Sequence, residues 1–257
     1  MAIRKTPANT ATGLDGLPAV AVKNLKGQRL EELRGFYNRM LQDKRIPDSW
    51  RKSRITLIYK GKGDKNDLSS YRPITVTAVT YRIFMRILKH RLEEFVEDND
   101  ILGSLQMGFR HGRRIEDSLF ILSQCIEIAQ MEGRELWAGF MDIEKAYDNV
   151  VHITLWRQLE HLKIDSEFIV LLRNIYMENT VIGCWEGIST NELETNKGLR
   201  QGCPLSPLLY MLYISELEKK LEEPLLGFDV SYNIGGQLKK QVIPGTIYAD
   251  DILLLAG

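Results

Sequence analysis

Two adjacent carboxylates, Asp250 and Asp251, lie inside the apolar run TIYADDILLLAG (246–257). Successive side chains on a regular strand point to opposite faces, so both acids can approach one site only where the strand turns. We therefore expect a hairpin whose tight turn is formed by these two residues. A third acid, Asp142, lies near the end of a second apolar run, ELWAGFMDI (135–143), which is typical of a buried strand.

If the two segments are neighbours in one sheet, the three carboxylates converge. Converging carboxylates repel one another unless cations occupy the site, and a site made only of oxygen ligands favours Mg²⁺ or Mn²⁺. Two such ions would activate a 3′-hydroxyl and stabilise a leaving pyrophosphate. Each acid taken alone has a simpler interpretation, as part of a turn, a surface charge or a helix cap.

The chain contains one strongly basic segment, although its 34 basic and 34 acidic residues balance overall. Between Lys44 and Arg91 there are thirteen Lys or Arg residues and three Asp residues. Within it, the strand patterns at 54–60 and 71–75 flank a Gly/Lys-rich loop, which predicts a hairpin with a mobile basic tip carrying Lys60, Lys62, Lys65 and Arg72. Such a tip suits a triphosphate or a nucleic-acid backbone, with a merely solvated surface as the alternative.

The rest of the chain predicts a mixed α/β fold. Helical periodicity is found over 74–97, 115–131, 152–163, 166–176 and from Pro204 onwards. In the helix over 115–131, the pattern places Leu119, Leu122, Ile126 and Ala129 towards the core. A Gly/Arg-rich loop, GFRHGRR (108–114), precedes this helix.

Several classes of protein are disfavoured by composition. The 3 cysteines and 4 histidines are dispersed without the spacing of a zinc site or a disulfide framework. A reducing, intracellular setting is therefore favoured. Since no apolar run approaches the ~20 residues of a membrane span, we expect no membrane partner.

The motifs FMDIEKAYDNV, GLRQGCPLSPLLY and YADD, in this order, resemble the palm motifs of reverse transcriptases. Upstream, TGLDGLP (12–18), TLIYKGKGDKNDLSSYRPIT and LQMGFRHGRRIEDSL resemble the fingers motifs of the non-LTR, LINE-type branch. The resemblance covers nearly the whole chain. It implies an α/β (α+β) right-hand polymerase fold with an antiparallel palm sheet and packed helices, in which residues 1–134 are mainly fingers with the first palm helices and 135–257 are mainly palm.

No thumb is expected within this length, and the ending shortly after YADD predicts a fragment of a longer reading frame. The resemblance also implies roles for the acids. Asp142, Asp250 and Asp251 would be the catalytic metal ligands, with the carbonyl of Ile143 completing one ion's shell. Tyr147 would block a ribonucleotide 2′-hydroxyl, because a bulky ring leaves no room for the extra oxygen.

Other residues would bind substrates by the same resemblance. Gln201 and Gly202 would border the incoming nucleotide, and Lys60 and Arg72 would hold its triphosphate. Which of Lys60, Lys62 and Lys65 is the true partner stays open. The residues expected to contact template or primer are Arg110, Arg113, Arg114 and Tyr248.

Purely structural interpretations of some of these residues are also possible. Tyr147 could be a packed aromatic residue, Asp148 is expected to stabilise the turn or the next helix, and the arginines could form a solvated loop.

The implied function is RNA-directed DNA polymerisation on an RNA template with a DNA primer and dNTPs. An alternative is a nucleic-acid-binding remnant of the same domain that lacks catalysis. A viral RNA-dependent RNA polymerase is disfavoured by the aromatic residue at 147, and a group II intron enzyme is a nearer relative that matches less closely. The resemblance implies an intracellular ribonucleoprotein, nuclear or cytoplasmic, and leaves the oligomeric state undetermined.

Overall fold

A computed structural model describes residues 2–185, 187–222, 226–235 and 237–257. They form two compact units that alternate along the chain. The first comprises residues up to Phe95 together with Tyr147–Ser206, and the second comprises Val96–Ala146 and Pro207–Gly257. The predicted mixed α/β class is confirmed, since both units contain helices and sheets. The predicted division into fingers and palm at residue 134 stays a prediction.

The first unit is built on a mixed sheet whose central strand is β1 (Lys52–Tyr59). It pairs antiparallel with β2 (Tyr71–Val76) and parallel with β4 (Asn179–Trp185). The short strands β5 (Ile188–Ser189) and β6 (Leu193–Thr195) pair with β4. The hairpin predicted from residues 54–60 and 71–75 is therefore confirmed.

The helices of the first unit are α1 (Ala19–Lys23), α2 (Gly27–Asp43), α3 (Val79–Asp98), α5 (His152–His161) and α6 (Ser166–Tyr176). The last three residues of α3 are counted with the second unit. Helix α3 begins later than predicted, because residues up to Val76 belong to β2. Helices α1 and α2 were not among the helices predicted from the sequence.

An aromatic cluster forms the core of the first unit. The rings of Tyr37 and Phe84 stack at 5.5 Å between centroids, and Trp50 meets Tyr81 edge-on at 5.5 Å. Phe84 and Tyr81 are fully buried on α3, and Tyr37 brings α2 against them. Aromatic pairs in these geometries add to the free energy gained from burial alone.

The second unit contains a three-stranded antiparallel sheet in the order β3 (Trp137–Asp142), β10 (Asp251–Ala256), β9 (Gly245–Tyr248). A separate hairpin is formed by β7 (Phe228–Ile234) and β8 (Gln237–Ile243). The helices of this unit are α4 (Ile115–Glu132) and α7 (Ser206–Glu222). The first residue of α7, Ser206, is counted with the first unit.

Strand β10 is buried on both faces. Leu253 and Leu255 pack with a cluster that includes Cys125 and Ala129 of α4. Ile252, which points to the other face, packs with Leu105 and Ile247. The central strand is therefore held by apolar contacts from both sides, and its register determines where the carboxylates at its start lie.

Two predictions of burial were wrong. The strand predicted at 135–143 is present, but every residue of β3 is exposed, and Phe140 has 75% of its surface exposed to solvent. The apolar run was correctly identified as a strand, but β3 lies at the edge of its sheet, and periodicity does not distinguish edge from centre. In α4, Leu119 and Ile126 are exposed, whereas Cys125 and Ala129 are buried. Within the described ranges no helix is both long and apolar enough to span a bilayer.

We expect Phe84→Ala to lower the free energy of unfolding by about 3–5 kcal/mol, because it removes a fully buried ring from the aromatic cluster. Urea denaturation followed by circular dichroism measures the change. Phe120→Ala is the matched control: this ring is 64% exposed on α4, and its loss should cost less than about 0.5 kcal/mol. Equal losses in the two variants would contradict the assigned core.

Candidate active site

The three predicted acids meet at one end of the sheet in the second unit. Asp251, the first residue of β10, is the direct antiparallel partner of Asp142, the last residue of β3. Directly opposed residues in such a pair project from the same face. Asp250 precedes Asp251 in the turn that joins β9 to β10. The predicted convergence of two strand segments is therefore observed.

The position of the turn differs from the prediction. Tyr248 pairs with Asp251, so the two turn residues are Ala249 and Asp250 rather than the two aspartates. Ala249 has a left-handed backbone, with φ of 60°. Two-residue hairpin turns that match the twist of their strands need a positive φ at the first turn position. This places one aspartate in the turn and the other at the start of the strand.

Electrostatics in this corner reflect burial and mutual repulsion. Partial burial raises the pKa of Asp250, and the neighbouring charges of Asp251 and Asp142 raise it further. Burial likewise raises the pKa of Tyr210 on α7 to about 12, with the nearby negative charge of Asp250 adding to the shift. A cation would relieve the repulsion that these shifts record.

The donor set fits a hard divalent cation in its chemistry, because all three side chains offer carboxylate oxygens. Asp142 and Asp251 are exposed and Asp250 is half-buried, so the oxygens are accessible. Across the described ranges, however, no group of three or more His, Cys, Asp or Glu side chains is arranged as a ready-made metal cluster.

A second set of predicted residues meets in the first unit. The side-chain amide of Gln201 donates to Asp148 Oδ1 at 3.0 Å, and the backbone carbonyl of Gln201 accepts from the backbone N–H of Thr75 at 2.8 Å. The backbone N–H of Leu199 donates to the carbonyl of Tyr147 at 2.8 Å. The RQG loop is thus joined directly to β2, and the segment that carries Tyr147 and Asp148 is joined to that loop.

Asp148 therefore has a partner that the sequence had not indicated. The expectation was a role in the turn or the next helix, but its carboxylate binds the side chain of Gln201. The two residues are far apart in the chain, so no local pattern could have paired them. Gly202, with φ of 101°, lies where a Cβ atom would be 3.2 Å from the carbonyl oxygen of Thr75. Glycine is suited to this close backbone approach.

Arg200 anchors the same loop through its buried side chain. Its guanidinium is buried, donates to Asn179 Oδ1 at 2.5 Å and lies 4.9 Å from the centre of the Tyr81 ring. A buried Arg that is held by an amide and an aromatic face fixes the backbone on which it is carried. The neighbouring Gln201 is therefore set in place by contacts on both sides.

The basic loop between β1 and β2 is closed by hydrogen bonds of its own. Tyr59 and Tyr71 donate through their hydroxyls to the carbonyls of Gly63 and Lys65, at 2.7 and 2.9 Å. The Lys60 ammonium donates to the carbonyl of Ser69 at 2.8 Å. Lys60, Lys62, Lys65 and Arg72 are exposed on or beside this loop, and its predicted mobility stays a prediction.

Arg110 has a partner inside the second unit. Its guanidinium forms a two-point ion pair with Glu97, with N–O distances of 3.1 and 2.8 Å, and also donates to the carbonyl of Gly103. Only 9% of its side chain is exposed. The hydrogen bond from Arg110 lowers the pKa of Glu97, and the same bond raises the pKa of Arg110. Its predicted contact with the template stays a prediction.

The neighbouring predicted contacts are more accessible. Arg113 and Arg114 are exposed at the start of α4, where the backbone N–H of Arg114 donates to Asp117 at 2.7 Å. The ring centroids of Tyr248 and Phe109 lie 6.5 Å apart. Phe109 is about half exposed and has a φ of 55°, a strained conformation for an aromatic residue. Sequence reasoning missed Phe109, although its place in the Gly/Arg loop was a signal.

Comparison with known proteins decides the family. Residues 62–257 match the family described as reverse transcriptase (RNA-dependent DNA polymerase). The chain belongs to the reverse transcriptase family. The resemblance inferred from the ordered motifs is confirmed, including the non-LTR type, because the relatives are proteins of retrotransposable elements of that kind.

Three relatives illustrate this. The reverse transcriptase domain is 32% identical over 252 residues to a Pol polyprotein of the type-1 retrotransposable element R2 of Popillia japonica, covering 96% of this chain and 32% of that protein. It is 27% identical over 255 residues to a 149 kDa protein of transposon TX1 of Xenopus laevis, covering 99% and 19%. It is 26% identical over 217 residues to the RNA-directed DNA polymerase from mobile element jockey of Drosophila melanogaster, covering 84% and 23%.

This reverse transcriptase domain thus spans about a third or less of the length of these relatives.

The Glu97–Arg110 pair predicts a pH-dependent stability of the reverse transcriptase domain. Because the folded state lowers the pKa of Glu97, the pair stabilises the fold at neutral pH, and this stability is lost as the pH falls below the ordinary glutamate pKa and through the folded one. Glu97→Gln should therefore cost about 1 kcal/mol at pH 7, a figure reduced for partial solvent screening. The cost should shrink as the pH falls below the ordinary glutamate pKa and disappear once the pH is below the lowered pKa of the folded state.

Thermal unfolding measured from pH 3 to 8 tests this. Asp98→Asn on the same helix is the control, because its side chain is exposed. A difference between wild type and Glu97→Gln that did not change with pH would contradict the ion pair.

Proposed function

We propose that this chain carries the catalytic centre of an RNA-directed DNA polymerase, which adds dNTPs to the 3′-hydroxyl of a DNA primer on an RNA template. The observation that carries the proposal is the direct pairing of Asp142 with Asp251, with Asp250 in the adjoining turn. Family membership supports the same reaction. One relative is named as an RNA-directed DNA polymerase.

The three aspartates, together with the carbonyl of Ile143, would hold Mg²⁺ or Mn²⁺. When bound, these ions supply Lewis-acid stabilisation for the attacking 3′-oxygen and the leaving pyrophosphate. The role of the aspartates is to keep their carboxylates ionised and fixed at the end of β10, so that little reorganisation is needed during the reaction. The raised pKa of Asp250 makes its carboxyl harder to ionise, and a nearby cation would lower that pKa and favour the ionised form.

Tyr147, Gln201 and Gly202 would select the nucleotide. Tyr147 restricts the space beside the sugar, which excludes a 2′-hydroxyl and favours dNTPs. Gln201 and Gly202 border the nucleotide through a loop that is fixed by Asp148 and Thr75. Positioning of this kind lowers the barrier because the reacting groups are already oriented.

Cationic residues would bind phosphate groups. Lys60 and Arg72 are exposed on or beside the basic loop and would hold the triphosphate, where the fork of Arg matches phosphate oxygens. Lys62 and Lys65 are exposed alternatives to Lys60. Template and primer contacts are assigned to Arg113, Arg114 and Tyr248, and to Arg110 if its pair with Glu97 opens.

The wider role rests on the relatives. We propose an intracellular ribonucleoprotein setting, nuclear or cytoplasmic, because the template of the reaction is RNA. The chain covers a third or less of the three retrotransposable-element proteins described above, so any activity of a whole protein is part of this proposal.

Primer extension on an RNA template tests the proposed reaction. We expect dNTP incorporation with Mg²⁺ or Mn²⁺, and a fall of about 100-fold or more in Asp250→Asn, because one charge that fixes the cations is removed. Asp229→Asn, an exposed acid of the same unit, is the matched control and should keep wild-type incorporation. Undiminished incorporation in Asp250→Asn would refute the assignment of the acids. Template binding without incorporation by a folded wild-type chain would instead favour the non-catalytic remnant.

Sugar selection is tested separately. Tyr147→Ala should raise the ratio of rNTP to dNTP incorporation by about tenfold or more, because the ring that fills the space for the 2′-hydroxyl is gone. Single-nucleotide incorporation assays with matched rNTP and dNTP give the ratio. Tyr232→Ala, on strand β7, should leave it unchanged. An unchanged ratio in Tyr147→Ala would show that the ring is only a packing residue.

A further inference from the structure

A short segment before α4 extends the sheet of the second unit beyond β9. The backbone N–H of Ile247 donates to the carbonyl of Leu105 at 2.8 Å, and the N–H of Met107 donates to the carbonyl of Ile247 at 2.7 Å. Gln106 is thus aligned parallel with the strand that leads into the aspartate turn. This alignment brings one buried polar side chain to the turn.

That side chain is the amide of Gln106, which is 1% exposed. Its Oε1 accepts a hydrogen bond from the backbone N–H of Ala249 at 3.0 Å and another from the N–H of Gly108 at 2.9 Å. Ala249 is the left-handed residue immediately before Asp250. A non-glycine residue persists in this conformation only where surrounding contacts hold it, and the bond from Gln106 is such a contact.

Gly108 closes the other side of the same turn. A Cβ atom at this position would lie 2.5 Å from the backbone nitrogen of Ala249 and 3.1 Å from Gln106 Oε1. Because no side chain can be accommodated there without displacing the backbone, the segment lies directly against the turn. At this contact, the side chain of Gln106 bonds from the segment to the backbone of the turn.

Gln106 is itself fixed by a buried carboxylate. Glu218 on α7 is 2% exposed, and its Oε1 accepts from the backbone N–H of Gln106 at 2.7 Å. Its Oε2 accepts from the N–H of Gly103 at 3.0 Å, while the carbonyl of Gly103 accepts from Arg110. Glu218 therefore holds the backbone of the segment at Gln106 and at Gly103. This fixes the direction in which the side-chain amide of Gln106 points.

We infer that Gln106 is a positioning residue of the polymerase reaction, which fixes the Ala249–Asp250 turn and thereby the place of Asp250, and that Glu218 in turn fixes Gln106. The inference rests on the proposed function for its catalytic consequence. Gln106 does not touch substrate; it acts through the turn. Its amide oxygen is needed because a buried N–H without an acceptor destabilises the conformation that contains it.

Hydrogen exchange of the intact chain tests the structural part. In Gln106→Met, which keeps the length of the side chain but removes the acceptor, the amide of Ala249 should exchange about tenfold faster. Gln130→Met, an exposed position on α4 in the same unit, is the matched control and should leave this amide unchanged. Equal exchange at Ala249 in wild type and Gln106→Met would overturn the inference.

Steady-state kinetics test the catalytic part. Gln106→Met should lower kcat for dNTP incorporation about tenfold while the KM for dNTP stays within twofold, because the displaced group is an aspartate and not a nucleotide contact. A merely structural role would lower the active fraction, which titration of active sites detects, without changing kcat per active molecule. An unchanged kcat per active site would overturn the inference.

A second variant covers the case in which Gln106→Met does not fold. Glu218→Gln keeps the shape of the side chain but loses one of its two acceptor oxygens, so the backbone N–H of Gln106 or of Gly103 should exchange faster, followed by that of Ala249. Glu216→Gln on the same helix, 65% exposed, is its control. Unchanged exchange at all three backbone N–H groups would overturn the inference.

Failure of the proposed function is a separate result. A folded wild-type chain that incorporates no dNTP would refute the function, whatever hydrogen exchange reports at Ala249, and incorporation that survives Asp250→Asn would refute the assignment of the acids.

Discussion

Mutual repulsion among carboxylates is the constraint on which the proposed catalytic corner of this protein depends. Asp142, Asp250 and Asp251 cannot hold themselves together, so the backbone must do so. The register between β3 and β10 achieves this through a ladder of hydrogen bonds, and apolar contacts on both faces of β10 secure the ladder. A slip of one residue would turn the side chains of β10 to the opposite face and bury the wrong set.

The same principle holds in the first unit, where neutral polar groups replace charges. Gln201 is fixed through its backbone to β2 and through its side chain to Asp148. Arg200 adds a buried anchor to Asn179 beside it. Residues that would face a substrate are thus held by backbone contacts from several segments. Their precision comes from strands and buried anchors, while the loops that carry them supply the exposed groups.

Local patterns in the sequence predicted much of this and failed where the answer lay elsewhere in the chain. Periodicity identified α4, α5 and α6 almost to the residue, and the alternation around residues 54–75 identified the first hairpin. It misjudged β3, because an apolar strand at an edge has the same composition as one at the centre. The turn was misplaced by one residue because alanine carries no signal for a left-handed backbone. Partners such as Gln106 and Ala249 are distant in sequence, so only the folded chain pairs them.

The pairing of β1 with β4 and of β3 with β10 has a consequence for synthesis. In each case the partner strand is translated over 100 residues after the first. Neither sheet can therefore be completed while the ribosome is still in the first half of the chain, and loop closure makes such distant pairings slow. Until then the exposed edge of β1 and the apolar run of β3 lack their partners. Strand edges that lack their partners are prone to pair with other chains during folding.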